Sequence, residues 1–76
     1  MRRADRLLQI IQILRRARRP YPASAIAEEL EVSLRTIYRD IADLAGNRVP
    51  IRGEAGVGYV LEDGYDVPPL MFTAAE

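Results

Sequence analysis

Between Ala23 and Leu44, two short stretches of helical periodicity are separated by only Glu31-Val32-Ser33, and that spacing restricts the chain to a tight two-helix unit. Ala23, Ile26, Ala27 and Leu30 share one face of the first stretch; Ile37, Ile41 and Leu44 share one face of the second. Pro22 suits the first turn of the earlier helix, with Ser24 as an alternative cap. Ser33 caps the later one, predicting a helix over Ser33–Leu44 with Gly46 as its C-terminal stop. Ala27 is small enough for the two helices to cross closely, and Val32 plugs the turn between them. With Ile37 and Ile41 turned to the core, Leu34, Arg35, Thr36, Tyr38 and Arg39 fall on the exposed side or its rim. This is the logic of a helix-turn-helix whose second helix enters the major groove of DNA. An arginine there can bond guanine O6 and N7 in bidentate fashion, and the hydroxyls of Thr36 and Tyr38 suit phosphates or base edges. Arg39 is placed to grip phosphate or to brace Asp40 and Asp43, and Leu34 to meet a thymine methyl or simply to pack. The plain alternative is a helical hairpin whose polar residues are merely solvated, and the flanking segments argue against it.

Upstream, Ala4, Leu7, Leu8, Ile11 and Leu14 repeat at helical spacing, predicting a first helix over about residues 3–18 that ends ahead of Pro20. Ile10, Ile13 and Ala17 widen its apolar stripe beyond one face, as expected if it packs on two neighbours or on a partner subunit. Downstream, Val49–Arg52 and Tyr59–Leu61 read as short strands, with Gly53, Gly56 and Gly58 permitting a tight reversal between them. Tyr59 and Leu61 share one strand face. The expected fold is therefore α+β but mainly α: a three-helix winged helix-turn-helix with a two-stranded β-hairpin wing, filling residues 1–62.

Charge supports the same direction. The 76 residues carry no net charge, which at first argues against nucleic acid. Residues 1–22, however, hold seven arginines against Asp5 alone, while the acids accumulate later. Every basic residue is arginine, the side chain best matched to phosphate and guanine. Local neutralisation of phosphate, not overall charge, governs DNA binding. Arg2, Arg3 and Arg6 could clamp phosphate at the start of the first helix, or be solvated. Arg15, Arg16, Arg18 and Arg19 cluster near a helix C-terminus, where the dipole favours cations with or without phosphate. Glu28, Glu29 and Glu31 should face away from DNA. With no cysteine or histidine, disulfides, thiolate or imidazole metal sites, and Ser/His or Cys/His nucleophiles are excluded. No carboxylates fall into a recognisable acid/base pair, so an enzyme is not expected, and neither is a cofactor. Leu7–Leu14 is interrupted by Gln9 and Gln12 and lacks a cleavage site, so it is not a signal peptide, and no stretch reaches the roughly 20 apolar residues of a membrane span.

Residues 63–76 have another character. Asp63-Gly64 suits a turn, Tyr65–Val67 a short strand and Pro68-Pro69 an extended spacer. Leu70, Met71 and Phe72 are consecutive apolar residues, and Thr73-Ala74-Ala75-Glu76 is a capping-box signature. These residues are expected to be a linker and the start of a further, C-terminal domain.

The run Val32-Ser33-Leu34-Arg35-Thr36-Ile37-Tyr38-Arg39-Asp40-Ile41, followed by Val49-Pro50-Ile51, resembles the N-terminal domain of WYL-domain regulators, with its DeoR-type winged helix. Gly58-Tyr59-Val60-Leu61 and Leu70-Met71-Phe72-Thr73 match that family's path into its sensor domain. The resemblance implies a bacterial, cytoplasmic transcription factor with a double-stranded DNA operator as partner. It also implies a WYL domain that binds the effector, often nucleic-acid-like; homodimerisation in the full-length protein is expected because a single short helix reads few base pairs. It places Ser33, Arg35, Thr36, Tyr38 and Arg39 at DNA-contacting positions. The chain departs from the family at Val60, often basic there, at Leu34, commonly polar or basic, and at Glu54, an added acid in the wing. Arg52 is the wing's only cation and the wing's candidate DNA contact. Two other functional classes stay open on sequence alone: a winged helix that binds a protein partner, and non-specific or RNA binding.

Overall fold

The computed structural model describes residues 2–54 and 56–62. Three helices are followed by a hairpin: α1 (Arg3–Arg16), α2 (Ala23–Leu30), α3 (Leu34–Gly46), β1 (Ile51–Glu54) and β2 (Gly58–Leu61). The strands pair antiparallel, with Ile51 opposite Leu61, Arg52 opposite Val60, Gly53 opposite Tyr59 and Glu54 opposite Gly58. The expected architecture is the observed one: mainly helical α+β, a winged helix-turn-helix. The linker and further domain expected over 63–76 lie outside the described residues.

The core forms where the three apolar stripes meet. Ile10 and Ile11 of α1, Ile26 of α2, and Ile37 and Leu44 of α3 are sealed from solvent. Each such side chain contributes about 1.5–3 kcal/mol by leaving water. Leu7, Leu8, Val32, Tyr38, Ile51, Tyr59 and Leu61 close over this cluster from its edges. The broad stripe of α1 is explained within the chain, because α1 packs on both α2 and β2.

The element ends depart from the sequence expectations in instructive ways. Helix α1 stops at Arg16, two residues early. Ala17 is already extended (φ −72°, ψ 133°), although its N–H still donates to the Ile13 carbonyl at 3.1 Å. The early stop frees the chain to run beside the wing, where Tyr21 and Tyr59 form an antiparallel bridge (Tyr21 N–H to Tyr59 O 2.8 Å, Tyr59 N–H to Tyr21 O 2.9 Å). The hairpin thus gains a third, one-residue neighbour that no periodicity marks. Pro22 sits at the N-cap of α2 rather than inside its first turn, and Ser24 is exposed and does not cap.

Gly46 is not the stop of α3. It is the last helical residue, and the left-handed position falls on Arg48 (φ 68°). The end is closed by polar groups instead. The Asn47 side-chain amide donates to the Asp43 carbonyl at 2.8 Å, and Val49 N–H donates to the Leu44 carbonyl at 3.0 Å. Val49 is therefore buried against the helix end, and β1 begins two residues later than expected. Strand β2 starts one residue earlier, at Gly58.

Candidate nucleic-acid interface

The turn between α2 and α3 takes three residues. Glu31 adopts the left-handed conformation (φ 58°, ψ 44°), which ends α2 at once. Val32 N–H returns to the Ala27 carbonyl at 3.0 Å, and the Val32 side chain packs on the core. Ser33 is extended, and its Oγ accepts from the Thr36 N–H at 3.1 Å, so α3 starts abruptly from a capped end. The Ser33 hydroxyl also donates to Thr36 Oγ1 at 2.9 Å. Its proton and one lone pair are thus committed to the cap. Ser33→Ala should cost about 1 kcal/mol, the usual value of such a cap. A denaturant titration reads this, and an unchanged midpoint would show that the cap contributes nothing.

The capped end presents the candidate residues. Leu34 is 41% exposed, one of two large apolar side chains of the described residues that face solvent. Arg35 and Arg39 are exposed; Thr36 and Tyr38 are half-buried, with Tyr38 resting on the core. The opposite face is fixed by Ile37, Asp40, Ile41 and Leu44, all buried. A rigid underside and a polar, arginine-bearing outer face are thus separated within a single helix of 13 residues. The positive end of the helix dipole adds to the attraction for anions at Leu34 and Arg35.

Asp40, expected only as an acid that Arg39 could brace, occupies the apolar stripe, three residues after Ile37 and four before Leu44. Fully buried, it receives the Arg6 guanidinium of α1: Arg6 Nη2 donates to Oδ1 at 3.1 Å and Nε donates to Oδ2. This bidentate bond holds the Arg6 pKa above its ordinary value, against the opposing effect of burial. One turn further along, Arg3 donates to Asp43. The two acids of α3 are therefore braced by α1 rather than by Arg39, which is exposed with no carboxylate partner among the described residues, and Arg6 is withdrawn from the phosphate clamp expected of it. The signal that could have revealed the pair was a carboxylate on a core stripe, which demands a cation.

The remaining candidates do not join the same cluster. Arg3, with its side chain 59% exposed, is tied to Asp43, nine residues beyond Leu34 and so roughly 14 Å along the helix axis. Arg2, exposed at the N-cap of α1, precedes it. Arg52 projects from the wing and faces Glu62 at 3.5 Å. On α2, Glu29 accepts from the Tyr21 hydroxyl at 2.9 Å and faces Arg16 at 3.5 Å. The bond to Glu29 pushes the Tyr21 phenol above its usual pKa by favouring the neutral, donating form.

No helix among the described residues is long and apolar enough to cross a membrane. No curated protein matches the chain. A family model, described as an HTH domain, matches residues 6–60, which takes in α1 from Arg6 onward, α2, α3 and all of the hairpin but Leu61. The chain belongs to this family of helix-turn-helix domains, and membership suggests DNA binding by a transcriptional regulator.

Proposed function

We propose that the chain is a sequence-specific double-stranded DNA-binding domain whose helix from Ser33 to Leu44 reads the major groove. The observation that carries this reading is the division of α3 into a pinned underside and an outer face bearing Leu34, Arg35 and Arg39 behind a capped start. Arg35 bonds guanine, Leu34 meets a thymine methyl, and Thr36, Tyr38 and Arg39 hold phosphates or base edges. Ser33 sets the depth of the helix start. Arg2, Arg3 and Arg52 contribute phosphate contacts at the periphery, the last two by exchanging a surface carboxylate for phosphate.

The domain serves a cytoplasmic bacterial regulator of the WYL type with a DeoR-type winged helix, and acts by binding rather than catalysis. This part rests on the sequence resemblance through Val32–Ile41 and Gly58–Leu61. In that regulator a C-terminal sensor domain binds the effector, and homodimerisation doubles the length of operator read.

Titrating the 76-residue chain with duplex selected from a random-sequence pool, and with a shuffled duplex, tests the reading. Affinity should fall steeply as salt rises. Arg35→Ala should narrow the preference for the selected duplex by about 1–3 kcal/mol, roughly 5- to 150-fold. Binding indifferent to both salt and Arg35 would sink it.

A further inference from the structure

Beyond the reading helix, one basic feature is not accounted for by folding. An open groove runs between the C-terminal end of α1 and the outer face of the wing, lined by Arg15, Arg16, Arg18, Arg52, Val60 and Glu62. Three separate segments supply its cations: the last turn of α1, the non-helical link after it, and strand β1. The helix dipole favours Arg15 and Arg16, which lie in the last turn. It does not account for Arg52, which comes from another element.

The carboxylates available are few and loosely engaged. Glu62 faces Arg52 at 3.5 Å, and Glu29, beside the groove, faces Arg16 at 3.5 Å, with all four side chains well exposed. Arg15 and Arg18 have no carboxylate partner among the described residues. Among the described residues, two guanidiniums are therefore without a compensating carboxylate in a concave, solvent-open channel. Between them lie only Ala17, Val60 and Leu61, and the groove is too open to solvent to enclose a compact ligand. An extended polyanion matches it, because guanidinium forks grip successive phosphates without enclosing them.

We propose that this groove is a second seat for the DNA phosphate backbone, blind to sequence and separate from the helix that reads bases. The proposal rests on the DNA-binding reading and adds to it a positioning contact that the weakly charged wing alone does not supply. The groove holds one flank of the duplex while α3 is inserted, so Arg15 and Arg18 govern affinity and Arg35 governs choice of site.

The test is the double variant Arg15→Ala/Arg18→Ala, titrated with the selected duplex, the shuffled duplex and polyglutamate. Both side chains are exposed, so the melting curve should match that of the unaltered chain. Losing two phosphate contacts should lower the salt slope by about 2 and weaken both duplexes equally, roughly 10- to 60-fold near about 0.1 M salt. The ratio between the duplexes should not change. Unaltered affinity and slope, with Arg35→Ala still narrowing the ratio, would overturn the groove while leaving the reading helix intact. Loss of polyglutamate binding with duplex binding retained would overturn it in favour of an acidic protein partner. Failure of the unaltered chain to bind any duplex in a salt-dependent way would remove the underlying reading as well.

Discussion

Replacing Asp40 by alanine is expected to cost about 3–5 kcal/mol, because it strands the Arg6 guanidinium in a nearly dry site. The Arg6 side chain is only 13% exposed and its partner is fully buried, so most of the guanidinium's hydration is replaced by the carboxylate. A domain of 76 residues holds roughly 4–11 kcal/mol in all, so this one truncation removes a large share of it. At about 4–8 °C per kcal/mol for a chain of this size, the melting midpoint should fall by about 12 °C or more. A circular-dichroism melt reads it directly. The double variant Arg6→Met/Asp40→Leu separates the cause from general damage. It removes both charges at similar volume, and pairs replaced in this way are often neutral. It should recover most of the loss. A single variant costing under about 1 kcal/mol, or a double variant no better than the single, would show that the pair does not hold the helix as described.

Gly53→Ala is the second large effect, and it acts on the wing. Gly53 has φ +135°, a region side chains rarely enter, and it lies opposite Tyr59 in the hairpin. A Cβ there would stand 2.1 Å from the Gly58 carbonyl oxygen and 2.9 Å from the Tyr59 Cα. Both obstacles are backbone of the partner strand, so no side-chain rotation relieves them. The strands must part or slip. A slip of one residue would turn Tyr59 and Leu61 out of the core and undo the Tyr21–Tyr59 bridge. Backbone strain and overpacking together place the cost on the order of 3 kcal/mol. Amide exchange at Tyr21 and Tyr59, whose N–H groups bond each other's carbonyls, should quicken sharply, while exchange in α3 changes less. Protection at those two amides equal to that of the unaltered chain would refute the account.

These two sites also mark the boundary between local and distant information. What periodicity and the Ser33 cap set could be read from the chain, whereas the helix ends expected at Ser24 and Gly46 were not the ones formed. The buried faces of α2 and α3, the Ser33 cap, the abrupt start of α3, the outward placement of Leu34, Arg35 and Arg39, and the inward placement of Tyr59 and Leu61 each depend on neighbours within a few residues. A helix repeats every 3.6 residues and a strand every 2, so a face is a local property.

What lay beyond the sequence depended on residues far apart in it. Arg6 and Asp40 are 34 positions apart, and Arg3 and Asp43 are 40 apart. Only the crossing of α1 and α3 brings either pair together, and it takes Arg3 from the list of free cations. The early end of α1 and the bridge at Tyr21 follow from the position of β2, nearly 40 residues later. The exchange of Gly46 for Arg48 as the left-handed residue follows from Val49 docking on the end of α3. The helix with its capped start and arginine face was therefore specified by its own residues. How firmly it is held, which cations remain free for a polyanion, and how they converge beside the wing were decided by the tertiary structure, because an ion pair forms by proximity in space and sequence spacing encodes that only within a single helix or strand.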